Sequence, residues 1–477
     1  MFFISYNIKV LIAITFFTLL QVLPAAVNGF PFLFFDTRGY FGAGEAVIDV
    51  AFGTTVEEIL PPESMAQGAS VEATTQEQNS TEISMSRSPF YGAVLYLSWI
   101  IDPFLVVFLQ SLIVAVLAWL VCLHVCVRSP FIVYGISAVV CALLTPLPYF
   151  AGYAMPDVFA GLVPISFFLL CYNDSKFGWQ TMGFVWIVLV AAITFHSSLI
   201  LLSFGLIIAI STLSIWPYFR PSLRGWLGAS SALITGLMGV FAFAYIALLV
   251  FGSWPANAPF LTARGIEDGP VAELIAEDCG DKDFAICGAA PLRSTSSQQF
   301  LWGKEGFYQT ADAETKLRLS QEDFAVFFSA AKEHPVEQLT ASLGNFVEQF
   351  SMIGLYDFYT AERVFAESAA NYLSNANLQK FGDSLAVNNI YPFAWISLFV
   401  YVSAILSLML LIYSMYRGVL PKNTLVLIII VFIALIGNAM IGGVLSDPHH
   451  RYQARMIWLL PFLATLISFQ PFMSKRS

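Results

Sequence analysis

The amino-acid sequence predicts an all-α polytopic membrane protein with about ten transmembrane helices and a small, mostly helical extracytoplasmic domain. Of the 477 residues, 58% are hydrophobic and only 11% are charged, whereas soluble globular proteins carry about 25% charged residues. The apolar residues also come in blocks long enough to cross a bilayer, which takes about 20 residues per helix. These two observations exclude a soluble fold.

Ten apolar blocks account for the predicted crossings. The first, residues 10–30, is longer than the apolar core of a signal peptide, about 7–15 residues, so we favour a retained helix over a signal peptide cleaved after it. The stretch 181–215 is apolar except at His196-Ser197-Ser198, where we predict a tight hairpin between two crossings. The remaining blocks are residues 104–126, 131–151, 157–172, 227–251, 393–415, 423–445 and 455–472.

The distribution of charge predicts the orientation. Cytoplasmic loops of membrane proteins are enriched in lysine and arginine. With ten crossings and cytoplasmic termini, Asp174 is the only acid at a cytoplasmic end, and the other 31 of the 32 acidic residues lie outside. The chain has no basic stripe of the kind that nucleic acid requires, so nucleic acid is not a predicted partner. The cytoplasmic cations are Lys9, Arg128, Lys176, Arg220, Arg224, Arg417, Lys422, Lys475 and Arg476.

Two polar segments interrupt the apolar blocks and define the domain organisation. Residues 31–103 form the first outer loop; its Ser/Thr/Glu/Gln-rich part, about 61–88, is too poor in apolar residues to fold alone. Residues 88–103 are amphipathic and are predicted to lie along the membrane interface. The predicted regions are an N-terminal transmembrane region (1–252), an extracytoplasmic domain (253–391) and a C-terminal transmembrane region (392–477).

The extracytoplasmic domain is predicted to be helical. Glu314–Lys332 and Pro335–Phe350 carry apolar residues at helical spacing, which is the pattern of amphipathic helices. Cys279 and Cys287 lie near the start of this domain. An oxidising compartment favours a disulfide between them over two free thiols, and a metal site is disfavoured because no histidine is nearby in the sequence.

Asp36 is the first candidate catalytic residue. It directly follows the first apolar block and precedes Gly39, Gly42 and Gly44, which allow close approach of backbone or substrate. A carboxylate here could act as general base toward an acceptor hydroxyl. The alternative is a structural role, either pairing with Arg38 or initiating a turn.

A cationic run, His449-His450-Arg451-Tyr452-Gln453-Ala454-Arg455, precedes the last apolar block. Arg451 and Arg455 are four residues apart and therefore share a helix face. Guanidinium pairs suit bidentate recognition of phosphate. The alternative is snorkelling at the interface, but cations on the outer side run against the charge bias, so we favour phosphate binding.

Two further ionisable residues stand at predicted helix ends on the same side. Asp157 follows Pro156 and is either a second catalytic acid or an N-terminal helix cap. His196 lies at the predicted hairpin and is either functional or a satisfied interfacial histidine. The sequence contains no GxSxG, HExxH, P-loop or dinucleotide fingerprint, so ATP, nicotinamide and flavin chemistry are not predicted.

Together these residues resemble the GT-C superfamily of integral-membrane glycosyltransferases, in a divergent bacterial branch. The likeness rests on Asp36-Thr37-Arg38-Gly39-Tyr40 in the first outer loop, on Asp157, on the basic loop before the last helix and on the many crossings. It covers most of the chain as architecture, through short motifs. The family often has paired acids in the first loop, whereas Thr37 follows Asp36 here.

The resemblance implies transfer of a sugar from a polyprenyl-phosphate donor to a lipid or glycan acceptor outside the cytoplasm of a bacterial inner membrane. It implies Asp36 and Asp157 as catalytic acids and a divalent cation as a possible cofactor. The substrate-binding residues that it implies are Arg38, Tyr40, His196, His449, His450, Arg451 and Arg455.

Two other functions remain open. An O-antigen-type polysaccharide polymerase also has many helices and outer arginines, but uses a diphosphate-linked donor. A lipid-linked sugar transporter or flippase would be a non-enzyme, and should carry charges or broken helices near the middle of the membrane. The apolar blocks of this chain are nearly free of charge in their middles, which disfavours transport.

Overall fold

The computed structural model describes residues 2–52, 87–126, 129–173, 176–251, 254, 257–278, 282–288, 295–358, 373–418 and 420–469. Within these ranges the fold is all-α, as predicted, and the only β contact is an isolated bridge between Phe32 and Tyr153. The helices are α1 (Phe2–Asn28), α2 (Phe35–Phe52), α3 (Pro89–Ile101), α4 (Phe104–Val125), α5 (Pro130–Leu144), α6 (Leu147–Ala151), α7 (Phe159–Cys171), α8 (Trp179–Phe195), α9 (Ser197–Leu213), α10 (Leu223–Phe251), α11 (Phe260–Asp268), α12 (Pro270–Asp278), α13 (Ser297–Trp302), α14 (Phe307–Thr310), α15 (Ala313–Glu333), α16 (Pro335–Ser351), α17 (Asn375–Gly382), α18 (Phe393–Tyr416), α19 (Lys422–Val444), α20 (His450–Ile457) and α21 (Leu459–Ser468).

Five helices in the described part of the chain are long and apolar enough to cross a membrane, which supports the assignment as a membrane protein. Several predicted crossings are shorter apolar helices of 10–17 residues. A 15-residue helix is about 22 Å long, less than the ~30 Å hydrocarbon core. The five long segments are Asn7–Asn28, Pro103–Val125, Leu223–Leu249, Phe393–Tyr416 and Lys422–Val444.

Two predicted single helices are broken. The block 131–151 becomes α5 and α6, separated at Thr145-Pro146, because proline cannot continue the helical hydrogen-bond ladder. The block 455–472 becomes α20 and α21, separated at Trp458; its last residues, 470–472, lie outside the described chain. Hydropathy detects apolar composition in both cases, but does not detect where one helix ends and the next begins.

The predicted break at His196 is present. His196 has an extended backbone (φ −148°, ψ 124°) and separates α8 from α9, and its side chain accepts a hydrogen bond from the backbone N–H of Ser198. The two helices pack against each other. The continuous apolar stretch 181–215 is therefore two helices, as the hairpin interpretation requires.

Helix α7 lies at the centre of the apolar bundle. Every residue from Phe159 to Cys171 is buried, as expected for a helix that is hydrophobic on all sides. It packs against α4, α8, α10 and α19. The Trp458 indole covers Gly161, where an added Cβ would lie 2.5 Å from Nε1. This contact brings the start of α7 next to the junction between α20 and α21.

The segment after α1 is the helix α2, whereas the sequence predicts residues 34–44 as part of an outer loop. Its three glycines suggest a loop because each lowers helix propensity by about 1 kcal/mol. Packing overrides that preference: α2 lies against α3, and an added Cβ on Gly44 would collide with the carbonyl of Gly92. The Ser/Thr/Glu/Gln-rich stretch 61–88 falls mostly in residues 53–86, which lie outside the described chain.

The first part of the polar domain (residues 257–391 as far as described) has its own hydrophobic core, which contains Ala263, Ile266, Phe300, Leu319 and Val326. The last part packs into the core of the apolar bundle through residues such as Leu355 and Phe381. The two predicted helices are present as α15 and α16. Cys279 lies outside the described residues, so its disulfide with Cys287 stays a prediction.

Candidate functional site

A short backbone pairing joins the two segments that carry the candidate acids. The Phe32 N–H donates to Gly152 O at 3.0 Å, and the Ala154 N–H donates to Phe32 O at 2.9 Å. Phe32 precedes α2 and its Asp36, while Ala154 precedes the 3₁₀ turn Pro156–Val158. The pairing therefore fixes the two acid-bearing segments side by side, although they are more than 100 residues apart in sequence.

Asp36 lies in the first turn of α2 and pairs with two arginines from distant parts of the chain. Its Oδ1 accepts a hydrogen bond from Arg87 Nη2, and its Oδ2 accepts one from Arg451 Nη2 at 2.8 Å. The carboxylate is mostly buried. Arg87 also lies against Gly39, where an added Cβ would be 2.8 Å from Arg87 Cγ. Gly39 and Gly44 thus serve the close approach that the sequence predicted, whereas Gly42 faces open space.

The two guanidinium groups control the ionisation of Asp36. Burial by itself would raise the pKa of this carboxyl group, but the positive charges of Arg451 and Arg87, and the hydrogen bonds from both, lower the pKa below its usual range. Asp36 is therefore ionised at neutral pH. In this state it is a proton acceptor, but a weak one, because a low pKa reduces basicity.

Arg451 is buried and only partly paired. Its Nη2 donates to Asp36 and, at 3.4 Å, to the Tyr452 hydroxyl, but Nη1 and Nε have no hydrogen-bond partner among the described residues. The guanidinium lies over the Phe34 ring at 4.3 Å and near the Tyr452 ring at 5.0 Å. Buried donors in native proteins are nearly always paired, so Nη1 and Nε remain able to donate to an acceptor that is not part of the described chain.

Asp157 and Arg455 form a second, deeper ion pair. Arg455 Nη1 donates to Asp157 Oδ1 at 3.3 Å, and the two side chains are 2% and 0% exposed respectively. Arg455 Nη2 donates to Ser198 Oγ at 3.1 Å and to Asn438 Oδ1 at 3.0 Å. Asp157 Oδ2 and Arg455 Nε have no hydrogen-bond partner among the described residues. Asp157 is therefore more than a helix cap, since its side chain binds an arginine 298 residues away.

The two ion pairs belong to one cluster. Arg451 and Arg455 lie on the same face of α20, as their spacing predicted, and both guanidinium groups lie beside the Tyr452 ring, at 5.0 and 5.5 Å. We call Asp36, Arg87, Asp157, Arg451 and Arg455 the paired-acid cluster. It contains both predicted acids and both predicted phosphate-binding arginines.

His196 joins the cluster through Ser198. Its Nδ1 lies 2.9 Å from Ser198 Oγ, and this hydroxyl also accepts from Arg455. Burial lowers the pKa of His196, and the neighbouring Arg455 and Arg451 lower it further. The imidazole is therefore neutral at pH 7, and orients Ser198 rather than adding a positive charge. Tyr40, one helical turn after Asp36, is buried with its ring centroid 5.1 Å from that of Tyr91.

The other predicted substrate-binding residues are not gathered at this cluster. Arg38 is exposed on α2. The His449 backbone N–H donates to Gln349 Oε1 at 2.9 Å, and its carbonyl accepts from Gln349 Nε2 at 2.8 Å. His450 Nδ1 accepts from the Gly354 N–H at 3.2 Å. These two histidines hold the loop before α20 against α16 and the segment that follows it.

Sequence reasoning missed two members of this environment. Arg87 is a cation on the predicted outer side and is therefore an exception to the charge bias. The argument that selected Arg451 applies to Arg87 as well. Asn438 is a polar residue in the middle of the apolar helix α19, and such residues are often functional. It donates to Gln453 Oε1 at 2.9 Å and accepts from Arg455, and so fixes α20 against α19.

A second ionic cluster holds the polar domain against the loop before α20. Arg264 Nε donates to Asp268 at 2.9 Å, Nη1 to Asp447 at 3.0 Å, and Nη2 to Asp268 at 2.5 Å and to Asn345 at 3.3 Å. We call Arg264, Asp268, Asn345 and Asp447 the Arg264 cluster. Every nitrogen of its guanidinium is paired, so this cluster offers no free donor to a ligand.

One group of side chains among the described residues has ligand atoms close enough together to hold a cation: Glu273, His334 and Glu337, whose ligand atoms lie within 4.8 Å of one another. These residues belong to α12 and to the junction of α15 with α16. They are not among the residues that contact Asp36 or Asp157.

No family model, curated protein or solved structure matches this chain, so any functional inference rests on its own residues.

Proposed function

We propose that this protein is a membrane glycosyltransferase that moves a sugar from a polyprenyl-phosphate donor to a lipid or glycan acceptor on the extracytoplasmic side. One observation carries the proposal. The paired-acid cluster combines two buried arginines that keep unpaired N–H groups with two buried carboxylates, beside a bundle of apolar helices. Transfer from a lipid phosphate needs a cationic site and a proton acceptor together at the membrane.

The arginines are assigned to the donor phosphate. Arg451 leaves Nη1 and Nε without a partner among the described residues, one on each side of the Nη2 that binds Asp36, and Arg455 leaves Nε. Each of these nitrogens can donate a charge-assisted hydrogen bond to a phosphate oxygen. Phosphate is also the leaving group, so the same contacts would stabilise the charge that develops on it during transfer.

Asp36 is assigned as the general base in a single displacement. The acceptor hydroxyl oxygen attacks the anomeric carbon, and its proton passes to Asp36. The bond between that carbon and the phosphate oxygen breaks, and its electron pair leaves with the phosphate. One displacement inverts the anomeric configuration. Asp157, whose Oδ2 has no partner among the described residues, is the alternative base.

Donor binding would also change the basicity of Asp36. Arg451 lowers the pKa of Asp36 in the structure, and the same guanidinium would bind the incoming phosphate. A phosphate that shares Arg451 adds negative charge beside Asp36, and like charge raises a carboxyl pKa. Donor binding would therefore make Asp36 a stronger base at the moment when an acceptor can react.

The decisive experiment compares Asp36→Asn with Asp157→Asn in lipid nanodiscs. Each variant is incubated with a panel of undecaprenyl-phosphate sugars and an envelope lipid extract, and released undecaprenyl phosphate is measured by mass spectrometry. A general base contributes about 10²–10⁴-fold in rate, so Asp36→Asn should lose nearly all release while inserting normally. A larger loss in Asp157→Asn would exchange the two roles, and full activity in both variants would refute the proposal.

The same assay separates the other two functions. An O-antigen-type polymerase would release undecaprenyl diphosphate from diphosphate-linked sugars and would leave the monophosphate panel intact. Arg451 and Arg455, one helical turn apart, could each bind one phosphate of such a donor, and this is the observation that favours the alternative. A flippase would leave the glycosidic bond of every donor intact.

The topology completes the proposal. We infer ten crossings in a bacterial inner membrane, with both termini cytoplasmic and the polar domain outside. Four shorter helices (α5, α7, α8, α9) and the α20–α21 pair supply the crossings beyond the five long ones. Reporter fusions after Arg224 and after Phe300 should report cytoplasmic and extracytoplasmic positions respectively. Two reporters on the same side would contradict the ten-crossing arrangement.

A further inference from the structure

Helix α16 (Pro335–Ser351) has its polar and apolar faces reversed relative to a helix in water. Its buried residues are Gln338, Asn345 and Gln349. Its apolar stripe is exposed instead, with Val336 at 73% and Val347 at 64% exposure. A helix on a soluble domain packs its apolar side inward and exposes its polar side. The full stripe is Val336, Leu339, Leu343, Val347 and Phe350.

Two of the three buried polar side chains, Asn345 and Gln349, bind other parts of the chain and determine the orientation of α16. Asn345 donates to both carboxylate oxygens of Asp268, at 2.9 and 3.1 Å. Gln349 exchanges two hydrogen bonds with the His449 backbone. Rotating α16 to bury its apolar stripe would break all four of these contacts.

The position of α16 places it beside the end of a membrane-spanning helix. An added Cβ on Gly443, near the end of α19, would lie 2.5 Å from the Asn345 carbonyl, so the two backbones are in contact. Ile436 lies seven residues before Gly443, on the same face of α19, and is exposed. Helix α16 therefore covers this face of α19 at Gly443. Two turns earlier in α19, at Ile436, the same face is apolar and exposed.

We propose that α16 lies in the membrane leaflet next to the polar domain, with its apolar stripe against lipid acyl chains. The exposed apolar surface of α19 then continues into α16 as one lipid-facing surface. Glu337 and Glu348, the exposed acids of α16, lie together on one flank of the stripe, roughly 130° from its centre at about 100° per residue, so they point away from the lipid and into water. This interface does not depend on the proposed glycosyl transfer.

The test places the photocrosslinker benzoylphenylalanine on α16 of the full-length protein in nanodiscs of phosphatidylcholine and phosphatidylglycerol. Leu343 and Val347 are the two stripe positions; Glu337 and Glu348 are the matched controls. After irradiation, intact-mass spectrometry should find an added phospholipid at both stripe positions and at neither control position. Two stripe positions guard against one variant that fails to fold, as judged by gel filtration.

Three results would overturn the proposal. Equal lipid adducts at stripe and control positions would mean that α16 has no preferred lipid face. Crosslinks between two copies of the chain at Leu343 or Val347 would mean that the stripe is a dimer interface. Absence of any adduct in two well-folded stripe variants would mean that the stripe faces water.

Discussion

The two ionic clusters flank the same segment, residues 447–455, which comprises the loop before α20 and the first part of α20, and they differ in how completely their arginines are paired. All three nitrogens of Arg264 are bound by protein groups, whereas Arg451 keeps two nitrogens without a partner among the described residues. A satisfied buried network rigidifies a structure, and an unsatisfied one costs stability. The Arg264 cluster is therefore organised to hold the loop, whereas for the paired-acid cluster we propose a bound ligand.

The largest expected effect on stability comes from Arg264→Met. Asp268 is 3% exposed and would be left as a buried charge without its guanidinium, a loss that typically costs about 3–5 kcal/mol. The apparent melting temperature in detergent should fall strongly. Arg318→Met is the matched control, because Arg318 pairs with Glu322 on the partly exposed side of α15 and exposed ion pairs contribute little to stability. Equal melting shifts in the two variants would break the comparison.

Arg451→Met should have the opposite profile. Asp36 keeps its pairing with Arg87, so no buried charge is stranded and the melting temperature should change less than in Arg264→Met. A charge-assisted contact is worth about 1.5–3 kcal/mol, so affinity for a polyprenyl-phosphate donor should fall about 10- to 150-fold. Unchanged donor affinity together with a large loss of stability would make the paired-acid cluster structural. Arg455 is less suitable for this test, because its removal would strand Asp157.

The smallest expected effect tests how the paired-acid cluster is supported. Gly44→Ala forces a methyl group into the Gly92 backbone, whereas Gly42→Ala adds one to open space. Overpacking typically costs about 1–3 kcal/mol, so Gly44→Ala should lower both melting temperature and transfer, because α2 carries Asp36. Gly42→Ala should leave transfer unchanged and raise the melting temperature slightly, because alanine has the higher helix propensity. Equal behaviour of the two variants would show that contact between α2 and α3 does not position the acid.

The apolar spans and the candidate charges could be predicted because each is local in sequence. Apolar blocks give the helices, and spacing of four gives the shared face of Arg451 and Arg455. The partners could not be predicted, because Arg87 and Asn438 reach the cluster only through packing of α2, α19 and α20. The catalytic and phosphate-binding roles themselves stay predictions.

Helix α16 illustrates a different limit of sequence analysis. Apolar residues at helical spacing predicted a helix at Pro335–Phe350, and the helix is present. Spacing reveals that a helix has two faces, but does not reveal which face meets protein and which meets the surroundings. That choice depends on the partners of Asn345 and Gln349, which are separated from them by about 80 to 100 residues.

The long-range ion pairs set a constraint on how this protein is made. Asp157 is 298 residues before Arg455, which at about 5–20 residues per second is about 15–60 s of synthesis. Asp36 can meet Arg87 early, but Asp157 stays without its arginine until α20 emerges. Chain insertion must therefore tolerate an unpaired acid in the growing bundle for most of translation, and completion of the C-terminal helices is the step that neutralises it.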